Sequence, residues 1–179
     1  MRTFVYTALA LGLLVTSAAA ATVTVGFDPQ DTSVGYNETF WITIAADVDE
    51  GTPIIGWGLD LAVDDPSIAA PTGNLDFSVG PWDALYAPDG DGLAGAHLGG
   101  VSGHFSLVAV EFQSFGVAGT TAITLSDDYP SDLTEGFPLA PPPIGAFAEV
   151  EYLVGNIHVP EPATLTLLGL TALLRRRYR

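Results

Sequence analysis

The sequence predicts an all-β fold, a single antiparallel sandwich, and three observations predict it. Apolar residues alternate with period two in several short stretches between Thr22 and His158. Glycine and proline, 20 and 13 of 179 residues, punctuate the spaces between those stretches. Helical periodicity is absent before the C-terminal tail, so no crossover helices are available to build a parallel sheet. The predicted sandwich is flanked by an N-terminal signal peptide and a short C-terminal hydrophobic helix.

The first segment, residues 1–20, has the three parts of an export signal. Arg2 is the positive end, Phe4 to Val15 is an apolar core, and Ser17 to Ala21 offers small-residue cleavage sites, most simply after Ala20. Export through the Sec translocon follows. The chain has no cysteine, so the exported domain, residues 21–158, has no disulfide and depends on core burial.

The strands then follow in order. Val23, Val25 and Phe27 share a face. Phe40, Ile42 and Ile44 point one way, with Trp41 and Thr43 opposite. Ile55, Trp57, Leu59, Leu61 and Val63 form a third row, and Val108, Val110 and Phe112 a fourth. Thr121, Ile123 and Leu125 align, as do Val150, Tyr152 and Val154. The Gly- and Asp-dense stretch from Ala87 to Gly100 is expected to be turns. The acidic, Pro-rich stretch from Ser126 to Gly145 is expected to cross the surface as a long loop.

The charge map restricts function more than the net charge of −16 does. All five basic residues, Arg2, Arg175, Arg176, Arg177 and Arg179, lie in the terminal segments. All acidic residues but Glu161, 20 of 21, lie between them. Nucleic-acid binding is excluded, because phosphate contacts need Lys or Arg. Binding to an anionic lipid surface is disfavoured for the same reason. With no cation partners, the carboxylates must be spread apart, hydrogen-bonded or neutralised by dissolved or bound cations.

That last requirement directs attention to a cation site. Asp83, Asp89 and Asp91, in "DALYAPDGDG", alternate with glycine so that oxygens could converge on a structural Ca²⁺. A solvated Asp-Gly turn explains the same residues. Asp127, Asp128 and Asp132 are a second acidic group with the same two readings. Trp82 and Tyr86 lie in a turn segment and are candidates for stacking on a sugar ring, whereas Trp57 belongs to an apolar face. His97, His104 and His158 have no metal-site spacing, and "GVSGH" lacks the second glycine of a nucleophile elbow. No catalytic residue is assigned.

The middle of the chain resembles the cohesin-type module. The resemblance rests on "TVTVGF", "DTSVGYNETFWITI", "IIGWGLDLAVDDPSI" and "GHFSLVAVEFQSFGVAGTTAITL", and covers most of residues 22–158. It implies a nine-stranded jelly-roll sandwich that binds a protein or a glycan-associated partner, and no contact residues are carried across.

The closing segment, residues 159–179, is marginal as a permanent anchor. Ala163 to Leu174 would span about 18 Å as a helix, against a hydrocarbon core of about 30 Å. Pro160-Glu161-Pro162, that apolar run, and Arg175, Arg176, Arg177 and Arg179 together resemble the PEP-CTERM sorting signal. The resemblance implies an exosortase as processing partner, transient insertion in the inner membrane, and delivery to the cell surface or extracellular matrix. The function expected is therefore non-catalytic binding of an extracellular glycan or surface protein by an exported acidic sandwich. The alternatives are a secreted polysaccharide hydrolase and a cohesin that captures a dockerin.

Overall fold

A computed structural model of the chain describes residues 21–82, 84–86, 92–132, 134–140 and 146–161. The signal peptide and the predicted C-terminal helix lie outside these residues. Eleven strands form two sheets, where the resemblance implied nine, and no helix occurs among the described residues.

The first sheet holds β1 (Thr22–Asp28), β3 (Thr39–Val48), β5 (Ala69–Asp76), β8 (Gly103–Ser114) and β10 (Glu149–Tyr152), in the order β10-β1-β3-β8-β5. The second holds β2 (Asp31–Ser33), β4 (Ile54–Val63), β6 (Ala84–Tyr86), β7 (Leu93–Val101), β9 (Gly119–Ser126) and β11 (Gly155–Val159), in the order β2-β11-β9-β4-β7-β6. The chain passes from one sheet to the other at almost every turn, which is why every strand needs one apolar face. Val23 and Val25 of β1, Ile42 and Ile44 of β3, Val108, Val110 and Phe112 of β8, and Ile123 of β9 fill the space between the sheets. The period-two reading placed each of these correctly.

The pairing is antiparallel with two exceptions. β1 pairs with β10, and β2 with β11, in parallel. These are one feature. Two of the chain's steps from sheet to sheet, at Asp28–Asp31 and at Tyr152–Gly155, continue in one direction and run side by side. Asn156 N–H donates to Gln30 O at 2.9 Å, Leu153 N–H to Val25 O at 2.8 Å, and Gln30 Nε2 to Val154 O at 3.0 Å. Val154 therefore does not continue the row begun by Val150 and Tyr152. It lies on the step and is 48% exposed.

The step also fixes the chain's ends. β1 begins beside the end of β3, since Val23 pairs with Val48. β11 ends beside β2 and the start of β9, since Val34 N–H donates to His158 O and Val159 pairs with Gly119. The N-terminal segment and the C-terminal tail thus leave opposite ends of the sandwich, with the 10-residue β3 running between them.

Two expectations of loops are corrected. The Gly-rich stretch before Gly100 contains β7. Its glycine and alanine residues suit a strand that passes under a large ring: a Cβ on Gly95 would lie 2.7 Å from Trp57 Nε1. The described part of the stretch from Ser126 to Gly145, residues 126–132 and 134–140, is stitched to β4 rather than laid over the surface. Gly58 and Gly136 exchange two backbone hydrogen bonds of 2.9 Å, and Ile55 N–H donates to Pro138 O at 2.9 Å. The segment takes over the edge of β4 where β9 stops. Phe137 is fully buried there, and Glu135 is 2% exposed. Gly136, at φ +83°, sits beneath the stacked rings of Tyr129 and Phe147, whose centroids are 3.9 Å apart.

Candidate functional site

The absence of Lys and Arg between the termini is met by hydroxyl and amide donors. Three carboxylates use one local device, an Asp followed two residues later by Ser or Thr. Asp65 accepts from Ser67 Oγ–H at 2.6 Å and Ser67 N–H at 3.0 Å. Asp76 accepts in the same way from Ser78, and Asp132 from Thr134. Glu111 accepts from Thr72 Oγ1–H and Asn74 Nδ2–H, each at 2.7 Å. Those donors hold the carboxyl groups of Asp65, Asp76 and Glu111 below the usual carboxylate range, the side-chain bonds from Ser67, Ser78 and Thr72 leading. The D-x-[ST] spacing was visible in the sequence and is the signal that could have found them.

The acidic segment is organised around Glu135. Asp128 N–H donates to its Oε2, and Tyr152 O–H donates to Asp127 Oδ2 at 2.5 Å. Burial pushes the Glu135 carboxyl above its usual range, and the charges of Asp60, Asp128 and Asp132 push the same way against the Asp128 hydrogen bond. Burial, then the bond to Asp127, raises the Tyr152 phenol. The second acidic group of the sequence is thereby absorbed into turns. No group of three or more His, Asp or Glu side chains among the described residues is arranged to hold a metal ion. Asp83, Asp89 and Asp91 lie outside the described residues.

A pH-dependent test follows. In Glu135 the folded carboxyl binds its proton more tightly than the unfolded one. Stability therefore falls as pH rises from the unfolded value through the raised folded value. Glu135→Gln keeps an acceptor for Asp128 N–H and removes the ionisation. At pH 8 it is expected to raise the Tm, because the buried charge that opposes folding there is removed. The gain should vanish near pH 4, as thermal melts across that range would show.

Trp82 is corrected from a sugar platform to a core ring. It is 7% exposed, its Nε1–H donates to Ser106 O at 3.0 Å, and Trp57 and Phe105 meet it edge-on at centroid distances of 5.8 and 5.5 Å. An indole boxed in this way has no free face for a sugar ring. Tyr86 falls on β6, and its side chain is outside the described residues.

The outer face of the first sheet is the surface best shaped for a partner. Gly26 of β1 and Ala45 of β3 floor a shallow groove of about 290 Å³, walled by Asp28, Asp47, His104 and Leu153. His104 Nδ1 and Asp47 Oδ1 are 2.9 Å apart across it. Along the same face of β3 stands Trp41, 47% exposed and paired with Glu111 of β8. The sequence placed Trp41 on the outer side of its strand but assigned it no role. On the second sheet, β11 places His158 beside Thr120, with Nδ1 and Oγ1 3.0 Å apart, and then delivers Val159 fully buried. Pro160 and Glu161 follow, both exposed.

At that point of exit the chain matches the PEP-CTERM protein-sorting motif, over residues 158–179. The C-terminus carries a sorting motif. It begins inside β11, so the motif and the sandwich share His158 and Val159. Pro162 and Arg175, Arg176, Arg177 and Arg179 are within the match and outside the described residues.

The fold is cohesin-like. Among solved structures it is similar to a cohesin module from a Clostridium perfringens family 33 glycoside hydrolase, at 11% identity and a TM-score of 0.56, covering 81% of this chain and 100% of that one. It is also similar to the seventh ScaB type I cohesin from Pseudobacteroides cellulosolvens, at 10% identity and a TM-score of 0.51, covering 80% and 94%. No curated protein matches the sequence.

Proposed function

We propose that this chain is an exported, exosortase-sorted protein whose acidic sandwich is a non-catalytic binding module at the cell surface or in the extracellular matrix. The observation that carries the reading is the sorting motif of residues 158–179 continuing directly from the last strand of a cohesin-like sandwich. The signal peptide of residues 1–20 supplies the export such a tail requires. Pro160 and Pro162 favour an extended tripeptide, because proline fixes its own φ and biases its predecessor away from helix. A processing enzyme at the membrane surface needs an accessible, extended segment of this kind.

Binding is assigned to the outer face of the first sheet. Small residues floor it, Trp41 and Leu153 stand out of it, and the carboxylates of Asp47 and Glu111 are already hydrogen-bonded. An exposed Trp beside a shallow, small-residue trough is the composition of a protein interface rather than of a deep catalytic cleft. The preferred partner is a surface protein; a glycan is the second reading, and a dockerin is one specific case of the first.

The test is a binding screen of the sandwich against the host's secreted proteins and a glycan panel, repeated with Trp41→Ala and Asp47→Lys. Both side chains are exposed, Trp41 47% and the Asp47 side chain 67%, so the Tm of each variant should stay within a few degrees of the wild type. The expected result is one partner bound at least about tenfold more weakly by both variants, a loss near 1.4 kcal/mol. Steady release of reducing ends from a glycan, abolished by changing one carboxylate pair, would instead establish a hydrolase.

A further inference from the structure

The place where the tail leaves the sandwich determines which loop faces the membrane while the tail is inserted. Val159 is fully buried and paired with Gly119, so the chain is fixed in the sheet up to that residue. Only Pro160, Glu161 and Pro162 separate it from the apolar run Ala163 to Leu174. Three extended residues span at most about 10 Å. The sandwich end that holds Val159 is therefore held within about that distance of the bilayer, where the headgroup layer lies.

That end carries an uncharged apolar loop. Residues 115–118, Phe-Gly-Val-Ala, join β8 to β9 and run straight into Gly119, the partner of Val159. Val117 is two residues from Gly119, at most about 7 Å of chain. Phe115 is 38% and Val117 44% exposed, although Phe115 N–H is bound at 2.9 Å to Ile68 O and the loop is anchored at both ends. We propose that Phe115 and Val117 contact the lipid interface while the tail is inserted, seating the sandwich with the β11 exit and the Pro-Glu-Pro at the membrane surface. This rests on the sorting reading given above.

The loop's lack of charge and the short tether to the tail support the lipid as occupant. The loop has no charged side chain, and apolar contact is an attraction to a bilayer that needs no Lys or Arg. Two side chains are too small to hold a protein on a membrane alone. Tethered by the tail, they act at high effective concentration. Removal of the tail then abolishes the contact, so processing and release become one event. The N-terminal segment leaves the opposite end, where Leu98 is 89% exposed, and does not compete for this orientation once the signal peptide is gone.

The absence of cysteine makes the test direct. Val117→Cys and Leu98→Cys chains are exported from a host lacking the processing enzyme, checked by mass for a lost signal peptide and a retained tail, and reconstituted in phosphatidylcholine vesicles. Each is spin-labelled and its collision rates with oxygen and a water-soluble nickel complex are compared. The expected result is an oxygen-to-nickel ratio several-fold higher at residue 117 than at residue 98, with the difference lost in chains ending at Glu161. Ala118→Cys repeats the reading if Val117→Cys lowers the Tm. Equal, water-like ratios in a chain that floats with the vesicles overturn the loop contact alone. A chain that does not float overturns the tail's insertion and the loop contact with it.

Discussion

Phe137→Ala is expected to cost about 3–5 kcal/mol, as truncation of a fully buried phenylalanine does. In a chain of this length the Tm would fall by roughly 6–20 °C. The size of the effect comes from where Phe137 sits. It anchors the segment that takes over the β4 edge, and its loss releases the Gly58–Gly136 and Ile55–Pro138 hydrogen bonds together. Gly58→Ala attacks the same junction from the other side. The added Cβ would lie 2.2 Å from Thr134 O and 2.8 Å from Glu135 Cα, both backbone atoms that no rotamer change can clear. Both variants should also raise amide exchange across β4 from Ile55 to Gly58. If either melts with wild-type Tm and exchange, residues 134–140 are laid over the surface after all.

Ending the chain after Glu161 is expected to leave the Tm unchanged, whereas ending it after Val154 should prevent folding. The first removes only residues beyond the paired strands. The second removes β11, which lies between β2 and β9 and buries Ile157 and Val159 completely. Its loss strips two rows of sheet pairing and opens the core. Circular dichroism and thermal melts of the two truncations would show it. The difference constrains processing: a cut on the N-terminal side of Val159 would have to pull a buried strand from the sheet, so the mature C-terminus is expected at Val159 or beyond.

The rows of the sandwich were legible because each strand has one buried and one exposed face, and period two records that directly. Val23-Val25-Phe27 and Val108-Val110-Phe112 needed nothing more. β7 and the segment around Phe137 were not legible, because their residues are chosen by neighbours distant in the chain. Gly95 is small because Trp57 lies over it, and Gly58 because the Thr134–Glu135 backbone does. Composition alone made both segments look like turns. Trp82 misled for the same reason: its sequence neighbours are turn residues, but its ring packs on Trp57 and Phe105. The sorting motif was legible in full, since its three parts are contiguous and depend on no tertiary contact. The proposed binding face was not, because Gly26, Ala45, His104 and Leu153 meet only when β1, β3, β8 and the inter-sheet step are assembled.

The central claim is that residues 158–179 route this sandwich and are cut beyond its last strand. Its most direct test is the intact mass of the exported protein from cells with and without the processing enzyme. The predicted mature chain retains Val159 and lacks Arg175 to Arg179 only where the enzyme is present. A protein that keeps those arginines in both cells, or that loses β11 with them, would contradict it.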